Sequence, residues 1–253
     1  MDFTFGLAWK GILKGKGGNT RYQVQDSISE KVYLIYTGGI NASWNSGGRD
    51  RERYSLNFGP SFGFLVNYRL SAGTSLRSGV TFDVTGYSLR DSSDSYNRYV
   101  VTGEAFYKVD TKTSVDYFTV PFLISFHPGN EGRIFINTGP FAGFKLNARS
   151  KGEVYYNSAN PGTYSRYRKI VYDNMKAAIK DNNFGWMIEG GMTIPFPGIL
   201  EMECGLQYRR GFGEVYDDSY LPENGSFFNE GTVFENSSLS LRLGFRVPVK
   251  VVK

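Results

Sequence analysis

The sequence predicts an all-β chain: an eight-stranded antiparallel up-and-down transmembrane β-barrel with short turns at one end and long loops at the other. Three observations predict it. The first is strict two-residue alternation. In Ser55–Leu70, the residues Leu56, Phe58, Pro60, Phe62, Phe64, Val66, Tyr68 and Leu70 are apolar or aromatic. Between them stand Ser55, Asn57, Gly59, Ser61, Gly63, Leu65, Asn67 and Arg69, small or polar apart from Leu65. Side chains alternate across a strand, so one apolar and one polar face persist for sixteen residues. Strands of soluble domains run to about 5–6 residues, whereas a strand that crosses a bilayer needs about 9–11. The second is composition. The 253 residues hold 20 Phe, 18 Tyr and 31 Gly, a mixture that suits strands, and mean hydropathy is −0.34 with no apolar run long enough for a membrane helix. A barrel escapes hydropathy scans because its lipid-facing residues are interleaved with polar ones. The third is loop length, which alternates along the chain.

Residues 1–31 are the least regular part, an N-terminal periplasmic extension ahead of a barrel domain at 32–253. Phe3, Phe5, Leu7 and Trp9 alternate, and Lys14–Asn19 is a basic, glycine-rich turn. Met1-Asp2-Phe3 opens no basic, apolar export signal, so the chain has the look of a mature sequence. Strand one is Val32–Asn45, with Val32, Leu34, Tyr36, Ile40, Ala42 and Trp44 apolar. A polar loop, Ser46–Arg53, leads to strand two, Ser55–Leu70. After the tight Ser71–Thr74 turn, strand three covers Ser75–Arg90, with Leu76, Val80, Phe82 and Val84 opposite Arg77, Thr81, Asp83 and Thr85. Asp91–Ser114 is expected to be a long polar loop. Strand four, Val115–His127, sets Phe118, Val120, Phe122, Ile124 and Phe126 against Tyr117, Thr119, Pro121, Leu123 and Ser125. Pro128–Gly132 turns the chain into strand five, Arg133–Arg149. Lys151–Asp181 is the longest connection, with one or two helical turns expected in Asp173–Lys180. Strand six is Asn182–Phe196, Pro197-Gly198 a tight turn, and strand seven Ile199–Val215. The polar stretch Asp217–Asn236 precedes the last strand, Ser237–Val251. The connections therefore run medium, short, long, short, long, short, long. Outer-membrane barrels have short periplasmic turns, longer outside loops and an even strand number, which puts both ends of the barrel on the periplasmic side.

A soluble barrel with its apolar face inward is the structural rival. The polar face argues against it. That face is rich in Gly, Ser, Thr and Asn, which suit a narrow lumen. Its charges, Arg69, Arg77, Lys145, Arg209, Arg242 and Arg246 with Asp83, Glu189, Glu201 and Glu203, are of both signs and can pair in one lumen. Tyr68 is expected in an interfacial aromatic belt. Asn57–Asn67 and Asn137–Asn147 echo each other on strands of opposite direction, which points to shared packing needs rather than a tandem repeat. Pro60 and Pro140 each remove a ladder hydrogen bond and are expected at local breaks.

Four stretches carry a resemblance. They are Gly38-Gly39-Ile40-Asn41-Ala42-Ser43, Tyr117–Ile124, Gly139-Pro140-Phe141-Ala142-Gly143-Phe144 and Gly205-Leu206-Gln207-Tyr208-Arg209-Arg210-Gly211-Phe212. In that order, on those strands, the chain resembles the PorT-like outer-membrane β-barrel proteins, similar in architecture to the small OmpX and OmpA-type barrels. The resemblance covers about Val32–Val249 and departs over residues 1–31. It implies the outer membrane of a Gram-negative bacterium, and for the best known member a part in type IX protein secretion. It implies no single activity.

The chemistry-bearing residues are few. The chain has one His and one Cys, which excludes an internal disulfide and multi-His or multi-Cys metal sites. The formal charge of +5 is spread without a basic stripe or nucleic-acid motif, so nucleic acid is not an expected partner. No cofactor is expected. A lipid-modifying enzyme would need a His or Ser/His arrangement near the outer leaflet, and His127 stands beside the Pro128-Gly129 turn on the periplasmic side. Glu201 and Glu203 share a face, more simply as partners of arginines than as an acid–base pair. Cys204 belongs to the lipid-facing set. An eight-stranded lumen is just wide enough for side chains to fill, so little conduction is expected. Function is then expected in the loops and rim, through contacts with outer-membrane lipid including lipopolysaccharide and with envelope or secretion proteins. Lys151–Asp181 concentrates Tyr155, Tyr156, Tyr164, Tyr167 and Tyr172 with Arg166, Arg168 and Lys169, residue types enriched at binding interfaces.

Overall fold

The computed structural model describes residues 31–46, 54–92, 100–101, 104–128, 133–158, 166–195, 200–213, 215 and 235–249. Residues 1–30 and with them the expected Phe3–Trp9 strand, most of Ser46–Arg53, the Pro197-Gly198 turn and residues 216–234 lie outside the described set. In chain order the strands are β1 (Val32–Ser46), β2 (Tyr54–Ser55), β3 (Asn57–Arg69), β4 (Thr74–Ser92), β5 (Val100–Val101), β6 (Glu104–Phe126), β7 (Ile134–Ser158), β8 (Arg166–Asn174), β9 (Asn182–Pro195), β10 (Glu201–Gly211) and β11 (Glu235–Pro248). Eight of them close a barrel in the cyclic order β1, β3, β4, β6, β7, β9, β10, β11, each antiparallel to its neighbours. Closure leaves no open sheet edge in the wall, which a lipid-embedded sheet requires. The 70–73 turn, the β6–β7 and β9–β10 connections and both ends of the barrel share one mouth, the one expected from the sequence on the periplasmic side.

The apolar face points out. Phe58, Phe62 and Phe64 are 60%, 54% and 55% exposed, while Asn57, Ser61 and Leu65 between them are 1%, 4% and 1% exposed. The same sign holds along β11, where Leu239, Leu241, Leu243 and Phe245 face out and Ser240, Arg242 and Arg246 face in. A soluble barrel would reverse it.

Two turns of the chain explain local detail. β3 pairs with β4 from Ser61↔Asp83 to Arg69↔Ser75, and pairing with β4 resumes at Ser55↔Ser88 with the register changed by one. Pro60 lies in that gap, as its missing N–H requires. The β6–β7 ladder is likewise interrupted between Pro121↔Phe141 and Ile124↔Thr138, beside Pro140. Inside, two rings rest on glycines of the next strand. Phe135 pairs with Gly191 and Phe141 with Gly185. A Cβ on Gly191 would lie 2.4 Å from the Phe135 ring, and one on Gly185 would lie 2.6 Å from the Phe141 ring. Only a residue without a side chain leaves room for these rings.

Two expected loops are corrected. Asp91–Ser114 is mostly ladder: β4 and β6 stay paired as far as Ser92↔Lys108. Lys151–Asp181 is a hairpin: β7 runs on to Ser158, and β8 returns along it from Asn157↔Arg166 to Arg149↔Asn174. Beyond the lipid both faces of a strand meet water, so the apolar alternation that marks a wall strand is lost while the backbone ladder continues. Of the helical turns expected in Asp173–Lys180, one turn at residues 176–178 is present, with Ala178 N–H bonded to the Met175 carbonyl at 3.1 Å.

Candidate functional site

The lumen holds two ion-pair clusters at different heights. Nearer the periplasm, Arg77 on β4 donates to both oxygens of Glu203 on β10, at 3.0 and 2.9 Å. Glu189 lies 4.0 Å from the same guanidinium and accepts from Asn137 Nδ2 at 2.8 Å. The Arg77 guanidinium also stands 5.4 Å from the centroid of the Phe135 ring. Farther out, Arg209 on β10 donates to both oxygens of Asp83 on β4, at 2.6 and 3.0 Å, and Ser61 and Thr81 hydroxyls add bonds at 2.6 and 2.8 Å. Both pairs cross the lumen from β4 to β10, fork to fork, which fixes their geometry.

The remaining charges expected in the network are dispersed. Arg242 is buried and bonds through Nε and Nη2 to Thr37 Oγ1, at 3.2 and 3.0 Å. Arg246 stacks 3.8 Å over the Tyr33 ring at the periplasmic mouth and reaches Glu201 at 3.4 Å. Arg69 is a correction: it is exposed at the end of β3 and donates to the Ser71 and Ala72 carbonyls of the periplasmic turn. The two-residue rule places it inward, but β3 ends at Arg69 and the side chain turns back over the loop. Lys145 is also corrected. Its buried ammonium sits at the outer rim, where β7 leaves β9, and there it binds Asp181 at 2.8 Å and the carbonyls of Lys176 and Ile179. It ties down the turn whose Ala178 and Ile179 are 1% exposed.

Above the rim stands a ribbon of β4, β6, β7 and β8. β6 has 23 residues and β7 has 25. β7 pairs with β9 only as far as Phe144↔Asn182, so residues 145–158 continue outward, roughly 45 Å measured along the strand. The ribbon carries the aromatic and basic residues singled out in the sequence. Tyr155 donates to Glu153 at 2.7 Å and lies under the Lys108 ammonium, 5.2 Å from the ring centroid. By backbone register Tyr155 is opposite Arg168, Tyr156 opposite Tyr167, Asn157 opposite Arg166 and Lys151 opposite Tyr172. Tyr164 lies outside the described residues. Arg90–Asp110 and Arg149–Asp116 ion pairs, at 3.4 and 3.7 Å, lie on the same ribbon.

A family model described as outer membrane protein beta-barrel domain matches residues 15–217. The chain belongs to this outer-membrane β-barrel family. The outer-membrane barrel is thus a protein of the Gram-negative outer membrane, and its lipid-facing bands are the exposed aromatic and aliphatic residues described above. The family match starts inside the irregular N-terminal stretch and stops before β11, the strand that closes the barrel. No curated protein matches the sequence. Among solved structures, Neisserial surface protein A is 12% identical with a TM-score of 0.42, covering 86% of this chain and 97% of that one. OprG from Pseudomonas aeruginosa is 8% identical with a TM-score of 0.40, covering 85% and 95%. The protease OmpT from Escherichia coli is 11% identical with a TM-score of 0.31, covering 85% and 96%. Likenesses this distant carry no argument about activity.

His127 of the outer-membrane barrel follows the end of β6, at the periplasmic mouth, with its N–H on the Gly73 carbonyl at 2.9 Å. Burial, then Arg246 and Arg77, lower its pKa to about 4, so it is neutral at ordinary pH. Cys204 is a free thiol in the outward-facing set of β10. Sequence reasoning passed over Ile35, Phe135 and Phe141, which are buried in the lumen. It assigned the inner face by polarity. Parity alone places Phe135 and Phe141 beside Asn137 and Gly139, on the inward side of β7.

Proposed function

We propose that this outer-membrane barrel is a non-enzymatic scaffold that binds a partner of the cell envelope through its extracellular strands and rim. The observation that carries the reading is the ribbon of β4, β6, β7 and β8, a sheet built far beyond the length that crossing lipid requires. Its tyrosines and arginines supply the side chains that dominate binding energy at protein interfaces. The lumen supports the same reading from the other side. Two forked Arg–carboxylate pairs and two aromatic rings fill it, which suits a wall and not a passage. Against a lipid-modifying enzyme stands the position of His127, at the mouth away from the outer leaflet.

A narrower reading, a PorT-type component of type IX secretion, rests on the four glycine–aromatic stretches described above. One experiment addresses both. The native protein is purified in mild detergent beside a variant with Arg166→Glu, Arg168→Glu and Lys169→Glu on β8. A partner retained by the first and lost by the second is the expected result, and secretion proteins in that set favour the narrower reading. Identical partners, or none with either protein, overturn the ribbon as the binding surface.

A further inference from the structure

Near the periplasmic mouth, several lumen-facing side chains have no hydrogen-bond partner among the described residues. Asn67 on β3, Ser75 on β4 and Ser125 on β6 are 0%, 1% and 0% exposed, and neither the Asn67 amide nor either hydroxyl has a partner. Asn137 on β7 uses Nδ2 on Glu189 and leaves Oδ1 unpaired. The groups are contiguous. Ser75 pairs in register with Ser125, and Ser125 with Asn137. Asn67 pairs with Arg77, two residues along β4 from Ser75. Arg77 Nε, Thr193 Oγ1 and His127 Nε2 are unpaired around the same band. The outer half also holds unpaired atoms, Asn57 Oδ1, Arg209 Nε and Asn236 Oδ1, but each of those residues keeps at least one protein partner, whereas Asn67, Ser75 and Ser125 have no side-chain partner among the described residues.

Buried amides and hydroxyls without partners are costly, and proteins satisfy them with ordered water. The Asn67, Ser75, Ser125 and Asn137 side chains are uncharged hydroxyls and amides leading to a charged pair, which is the chemistry of a water site. A cavity of about 10 Å³ adjoins it, lined by Thr37, Arg77, Glu189, Glu203 and Arg242 among others, and has room for about one water molecule. We infer that a file of ordered water runs from the periplasmic mouth along Asn67, Ser75, Ser125 and Asn137 to the Arg77–Glu203 pair, and stops short of Arg209–Asp83. The stop is built from the next lumen-facing residues on β3, β6 and β9. Leu65 follows Asn67, Leu123 follows Ser125 and Met187 follows Glu189, and Leu123, Phe141 and Met187 form one buried cluster. The lumen is therefore wet from one side only, and the two ion-pair clusters meet different solvents.

The test is water-to-protein magnetisation transfer in the ¹⁵N-labelled full chain in lipid nanodiscs. It reads the Asn67 and Asn137 amides and the Nε–H of Arg77 and Arg209. The expected result is transfer to Asn67 and Arg77 at least about tenfold stronger than to Arg209. Transfer to Asn67 as weak as to Arg209 overturns the water file, and transfer to Arg209 as strong as to Arg77 overturns the apolar stop. Ser125→Val fills the band, and in a folded variant it should abolish transfer to Arg77. Unchanged transfer there overturns the route, and if that variant does not fold, the unsubstituted chain decides alone.

Discussion

Removing Arg209 while leaving Asp83 in place is the sharpest test of the lumen. The Asp83 carboxylate is 1% exposed and accepts four bonds, two from Arg209 at 2.6 and 3.0 Å and one each from Ser61 and Thr81 at 2.6 and 2.8 Å. Arg209→Leu removes the countercharge and two of the four bonds, and solvent is kept from replacing them. Breaking one half of a buried pair costs about 3–5 kcal/mol. In the double variant Asp83→Leu/Arg209→Leu no charge remains. Its cost is then the two hydroxyls that lose an acceptor, about 1 kcal/mol each, the low end for an unsatisfied buried donor, because a hydroxyl can rotate toward another acceptor. The double variant should therefore be more stable than Arg209→Leu alone, with a coupling energy of about 2 kcal/mol or more. The assay is urea-titrated folding into lipid vesicles, read by tryptophan fluorescence and by the mobility of unboiled samples on gels. If Arg209→Leu lies within about 0.5 kcal/mol of the parent, or the double variant is as unstable as the single, the pair is not the buried, water-excluded contact described.

Three further outcomes are expected. Gly190→Ala should fold normally, because a Cβ there meets nothing within 4 Å, whereas Gly191→Ala meets the Phe135 ring and the Cys204 carbonyl at 2.4 Å and should lose about 1–3 kcal/mol in the same assay. Leu241→Arg should cost about 2–4 kcal/mol in vesicles, since Leu241 lies midway along β11 on the outward face, and a cost near zero would count against lipid contact there. The lowered His127 pKa means that the unfolded chain binds more protons between pH 6.5 and about 4, so stability falls as pH drops through that window. Part of that fall should vanish in His127→Gln, and parallel pH profiles of the two proteins would remove the effect.

The wall of the barrel was legible because lipid on one side and a narrow lumen on the other impose opposite demands on alternate residues. Phe62, Phe64 and Val66 had to differ from Ser61, Gly63 and Asn67, and they do. The ribbon was not legible for the same reason. At Lys108–Ser114 and Lys151–Ser158 water lies on both sides, so Thr, Lys, Val and Tyr follow one another without a period, and polarity suggested loop. The charge network was half legible. Parity put Arg77, Asp83, Glu203 and Arg209 inside, but which cation meets which anion depends on the stagger between β4 and β10, strands that are not paired in the backbone ladder. The ends of strands misled most, since at Arg69 and Lys145 the inward rule meets a turn and the side chain follows the turn.

The seam between β1 and β11 has a bearing on how the protein comes into being. It joins Tyr33 to Pro248 and Ser46 to Glu235, with partners such as Asn41 and Ser240 standing 199 residues apart. No part of that seam can form until β11 has been made. A product cut short before residue 235 would carry seven good wall strands and two bare edges, on β1 and β10, each a template for any other strand it meets. The last strand thus acts as a completeness check written into the topology: a whole chain seals itself, and a shortened one stays adhesive and open to degradation.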